Sequence, residues 1–91
     1  MLEVFKRNLN QNNKNLRKSG YILGLIYGPN LDQDIPIQIP KTPFLRFAET
    51  NNNNLNVDLL LDGEVKKCII TEIQSQPAFE GYTHINFKCI D

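Results

Sequence analysis

The residues able to do chemistry in this 91-residue chain fall into two groups far apart in sequence. The first is cationic: Lys14, Arg17 and Lys18, leading into Tyr27. The second is Gln74 with His84, Asn86 and Lys88, the last three alternating along a strand-like run. Guanidinium and ammonium groups grip phosphates, while amide and imidazole groups can read base edges. The combination suits RNA if the fold brings the two groups to one face. Any half-buried strand also turns polar residues outward, so the second group alone more often describes a solvated sheet surface.

Charge points the same way once it is divided along the chain. Ten Lys and Arg balance ten Asp and Glu, and a neutral total argues against phosphate recognition. Residues 1–20, however, hold Lys6, Arg7, Lys14, Arg17 and Lys18 against Glu3 alone, a balance of +4, and the remainder carries −4. A basic arm on a mildly acidic body fits a polyanionic partner, although a solvated loop would look the same.

Other chemistries lack their residues. The chain has one histidine, His84, and two serines, Ser19 and Ser75, with no Gly-rich phosphate loop, HExxH or Cys/His metal spacing. Neither an enzyme nor a metal or other cofactor is expected. Cys68 and Cys89 form no CxxC pair and sit in apolar runs, which predicts reduced core thiols. The N-terminus lacks the apolar stretch of a signal peptide, and no window approaches the roughly 18 apolar residues of a membrane span. A cytoplasmic protein with no membrane partner and no small-molecule substrate is expected.

The elements that must position these residues are mostly strands. Residues 2–7 alternate, with Leu2, Val4 and Lys6 on one side. The Asn-rich stretch NLNQNNKN reads as a loop, tightening into one helical turn around Leu16–Ser19 that Gly20 stops. Tyr21–Tyr27 reads as a buried strand with a bulge or close backbone approach at Gly24. Ile35, Ile37 and Ile39 alternate with polar residues and prolines, and Pro36 predicts an edge strand or a neighbouring bulge. Thr42-Pro43 signals a helix start, with Phe44, Phe47 and Ala48 facing the core and the tetra-Asn run ending it. Leu55, Val57, Leu59 and Leu61 form another strand, and Asp62-Gly63 turns it into a bulged partner from Glu64 to Gln74. SQPAFEGY reads as a loop, and Thr83–Ile90 as a last strand with Ile85, Phe87 and Cys89 inward. Six strands and one or two short helices in one domain, residues 1–91, lose their edges best by closing into a β-barrel.

The run LRKSGYILGLIYG (Leu16–Gly28) resembles the N-terminal signature of the bacterial large-subunit ribosomal protein family that binds the loop E region of 5S rRNA, also known as the CTC or general stress protein family. IQSQP (Ile73–Pro77) and HINF (His84–Phe87) are similar to that family's "VQ-x-HP" and "H-(I/V)-DF". The pieces keep the order and spacing of the family's single-domain form and span essentially the whole chain. The resemblance implies a six-stranded barrel related to the anticodon-binding domain of glutaminyl-tRNA synthetase. It also implies 5S rRNA and the large ribosomal subunit as partners of a monomeric, ribosome-associated protein. It places Lys14, Arg17 and Lys18 on a phosphate-gripping segment, Tyr27 on the family's tyrosine after the second strand, and Gln74 and His84 on groove-reading positions. The chain departs from the pattern at Leu23 (Pro in the family), Gln76 (His) and Asn86 (Asp), and carries NQNNKN where the family arm is rich in Arg and Gly. Asn supplies hydrogen bonds but no Coulombic attraction. A divergent barrel that has exchanged RNA for a protein partner or a stress-related role is the alternative.

Overall fold

The computed structural model describes residues 1–50, 55–76 and 81–90. Along these, six strands and two helices follow one another: β1 (Leu2–Lys6), α1 (Asn13–Lys18), β2 (Tyr21–Tyr27), β3 (Ile35–Pro40), α2 (Lys41–Thr50), β4 (Asn56–Leu61), β5 (Glu64–Gln76) and β6 (Gly81–Cys89). The strands close into a barrel in the order β1-β3-β2-β6-β5-β4. β1 runs parallel to β4 and β2 parallel to β6, whereas the other neighbours are antiparallel.

Period-2 patterning explains the wall. Leu2, Val4, Ile22, Ile26, Ile37, Ile39, Val57, Leu59, Leu61, Ile85 and Phe87 all turn inward and are buried together. Lys6 does not share that interior: it is exposed and meets Asp62 at 3.3 Å. Gly24 marks a close approach, because a Cβ there would stand 3.0 Å from the Ile85 carbonyl oxygen and 2.8 Å from Ile39 Cδ1. The Asp62-Gly63 turn has positive φ at both residues, +52° and +82°, as a tight two-residue hairpin with right-handed strand twist requires. The expected irregularity of β5 is present, as register shifts between Ile70 and Glu72 and between Gln74 and Ser75.

Four expectations change. Pro36 does not make β3 an edge strand, since β3 pairs with both β1 and β2. The proline is tolerated because its β1 ladder ends at Lys6–Ile37, beyond which only the Pro36 carbonyl is used, accepting from the Arg7 amide at 3.0 Å. The Asn-rich stretch is partly helical: Asn12 caps α1 by accepting from the Asn15 amide at 2.8 Å, and the helix begins at Asn13. α2 begins at Lys41, so Thr42 and Pro43 lie inside its first turn, where a missing amide donor costs nothing. Finally, Ser75, Gln76, Gly81 and Tyr82 belong to strands, so the expected loop between β5 and β6 is shorter. The expected end of α2 at residues 51–54 lies outside the described residues, as do residues 77–80 of that loop.

Cys68 and Cys89 face each other in register across β5 and β6, both buried and not joined by a disulfide. Native protein is therefore expected to resist thiol alkylation, with both groups reacting in full once urea unfolds the barrel. Rapid stoichiometric labelling of the native protein would show that this wall opens.

Candidate nucleic-acid interface

α1 is only six residues long, too short to persist without tertiary support. Its anchor is Leu16, which is 1% exposed but lies outside the barrel-core cluster. The same is true of Leu23, whose position on β2 points away from the interior. α1 packs on β2, so these two leucines form a small second core on the outer surface of the barrel. That contact fixes where the cations go. Arg17 and Lys18 occupy the last turn, where positive charge complements the helix dipole.

Lys14, Arg17 and Lys18 line a cleft of about 360 Å³ together with Tyr21, Lys41, Tyr82 and Thr83. The Nε of Arg17 is buried and has no hydrogen-bond partner among the described residues. Arg7 lines a separate hollow, with Lys6, Leu9 and Asp34. Its Nη2 donates to the Gly24 carbonyl at 2.6 Å and its Nε to the Ile37 carbonyl at 3.4 Å. Burial, and secondarily the charge of Arg17, pushes the Arg7 guanidinium below its ordinary pKa.

The second group lies on the neighbouring strands of the same outer wall. β2 and β6 pair Leu23 with His84, Leu25 with Asn86 and Tyr27 with Lys88. β5 then places Gln74 beside His84 and Glu72 beside Asn86. Tyr82 and Thr83, which line the cationic cleft, immediately precede His84 on β6. The structure thus brings the two sequence groups onto one continuous face.

Hydrogen bonds organise the row. The Asn86 amide Nδ2 donates to Glu72 Oε2 at 3.2 Å, which leaves Asn86 Oδ1 as the acceptor of the 2.7 Å contact from His84 Nε2. His84 must then carry a proton on Nε2. Gln74 Nε2 donates to the other Glu72 oxygen at 2.8 Å. The Tyr27 hydroxyl donates to Thr71 Oγ1 at 3.0 Å, and Thr71 Oγ1 to the Asn86 carbonyl at 3.4 Å. Lys88 is exposed at the end of the row. Asn86 is the residue that makes the network work: a carboxylate there would face Glu72 with like charge.

Sequence reasoning missed Glu72 and Lys41. Glu72 follows the register shift in β5, where alternation no longer tells which way a side chain points. Lys41 reaches the cleft only because the start of β2 pairs with the end of β3, Tyr21 opposite Pro40. Its amide is held there by the Gly20 carbonyl at 2.9 Å. Among the described residues no group of three or more His, Cys, Asp or Glu could hold a metal ion, and no helix is long and apolar enough to cross a membrane.

Residues 2–87 match the model of the Ribosomal L25p family. The chain belongs to this family. Among curated relatives it is 30% identical over 87 residues to large ribosomal subunit protein bL25 of Bacillus pumilus, covering 96% of this chain and 40% of that protein. It is 28% identical over 78 residues to the same-named protein of Bacillus licheniformis, covering 86% of this chain and 37% of the relative. General stress protein Ctc of Bacillus subtilis is 24% identical over 78 residues, with 86% and 38% covered. The chain thus spans about two fifths of the length of these relatives. Membership of the Ribosomal L25p family agrees with the resemblance read from LRKSGYILGLIYG, IQSQP and HINF, and the closed six-stranded barrel is the fold that resemblance implied.

Proposed function

We propose that this chain is a single non-enzymatic RNA-binding barrel of the large ribosomal subunit, and that it binds 5S rRNA in the loop E region. The observation that carries this reading is the shared face: cations on α1 beside a hydrogen-bonded row of base-reading groups on β5 and β6. Lys14, Arg17 and Lys18 would contact phosphates and set the register of the barrel on the RNA. Tyr27, Gln74, His84, Asn86 and Lys88 would meet the base edges and sugars of a wide, shallow RNA groove. Glu72 adds a function the cations cannot supply. Each of its oxygens accepts one hydrogen bond within the protein and keeps lone pairs for a base amino group. The network also holds the rotamers of His84 and Asn86 before RNA arrives, which lowers the ordering cost of binding.

The protein so read acts in the cytoplasm on the ribosome and is a monomer away from it. It should shift a 5S loop E fragment at low salt and leave a fully paired duplex of equal length much less bound. In extract of its own cell it should sediment with large ribosomal subunits. Recovery with other proteins, away from ribosomes and 5S rRNA, would remove this reading in favour of a protein-interaction role.

A further inference from the structure

The cleft beside α1 is built from more than the RNA reading uses. Four cations, Lys14, Arg17, Lys18 and Lys41, share it with the rings of Tyr21 and Tyr82. Lys6 pairs with Asp62 and Lys66 with Glu64, and neither is a cleft cation. The Arg17 Nε–H is buried there without an acceptor from the described residues. Four cations on one cleft, with no ion pair to them among the described residues, suit an anion with more than one charge. The ring of Tyr82 packs edge-on against Phe44, at 5.3 Å between centroids and 85° between planes. Gly81 lies beside Lys41: a Cβ built there would stand 4.0 Å from Nζ. At about 360 Å³ the cleft lies at the small end of ligand sites.

We propose that this cleft binds one nucleotide, with two phosphates on Lys14, Arg17, Lys18 and Lys41 and the base stacked on Tyr21 or Tyr82. Stacking on an aromatic ring together with cationic phosphate contacts is how proteins hold single unstacked nucleotides. An unstacked residue of a bound RNA, flanked by its two phosphodiesters, presents this chemistry, and so does a free nucleoside diphosphate. In the first case the site deepens the RNA reading and rests on it.

The test is an amide NMR titration of the 91-residue protein with ADP, adenosine and pyrophosphate. ADP should shift Tyr21, Lys41 and Tyr82 saturably, with adenosine and pyrophosphate each weaker. Lys41→Gln should weaken ADP binding about tenfold, as loss of one charge-assisted hydrogen bond implies. Arg17→Lys should weaken it as well while leaving thermal unfolding unchanged. If the nucleotide belongs to RNA, ADP competes with the loop E fragment and Lys41→Gln weakens both. If it is free, Lys41→Gln weakens ADP alone. Loop E binding with no saturable ADP shift and no effect of Lys41→Gln overturns the cleft and leaves the RNA reading standing. ADP binding without loop E binding does the reverse.

Discussion

Replacing Phe44 by alanine is expected to destabilise the protein by about 3–5 kcal/mol, the range for deleting a fully buried phenylalanine. The ring is 1% exposed and belongs to the barrel core although it comes from a helix outside the wall. It packs on Phe47 at 6.1 Å as well as on Tyr82. Collapse into the space is limited, because α2 is tied at its first residue to Gly20 and the barrel strands are closed on one another. A domain of this size has a total stability of about 5–15 kcal/mol, so the variant should be near the limit of folding at growth temperature. Urea unfolding followed by circular dichroism measures the effect as a fall in midpoint at unchanged slope. Phe44→Leu, which retains more of the volume, should lose less. A loss below about 1 kcal/mol for Phe44→Ala would mean that α2 does not fill the barrel.

Arg17→Ala should separate stability from binding. If Arg17 makes a bidentate contact, RNA affinity falls by about 1–3 kcal/mol, roughly five- to 150-fold in Kd. The free protein should not suffer in proportion. The substitution removes a buried donor that has no acceptor among the described residues and removes the charge that opposes Arg7. Stability is therefore expected to stay level or rise slightly, since Leu16 still anchors α1. Arg17→Lys should keep the salt dependence of binding while losing most of the geometric contact, because an ammonium cannot form the two-pronged bond. Unchanged Kd in Arg17→Ala would take this residue out of the interface.

The barrel was largely legible because its information is local. Tyr21–Tyr27 has the bounds its Gly-flanked apolar run suggests, and Asp62-Gly63 turns where the dipeptide says. Leu23 shows the limit of that reading. Its burial follows from α1 lying on the outside of the wall, and no periodicity distinguishes this from an interior position. Asn12 was hidden in a stretch whose composition speaks for a loop, although a single Asn at the right place is a helix cap. The proposed interface is legible by residue type and not by connection. Lys14, Arg17, Lys18, Gln74, His84 and Asn86 could be named from sequence, while Glu72 and Lys41 depend on a bulge and on a pairing between distant strands.

The most direct measurement of the central claim is the salt dependence of binding to a 5S loop E fragment. Of the five cations in residues 1–20, Lys6 is engaged with Asp62 and Arg7 with backbone carbonyls, which leaves Lys14, Arg17 and Lys18 to meet phosphates. If each neutralises one phosphate, log K should fall with log salt at a slope of roughly −2.1 to −2.7. Saturable binding at low salt with that slope, shallower by about one in Lys14→Ala, is the result expected. A slope near zero, or no shift of the fragment at low salt, would contradict an RNA-binding face on this barrel.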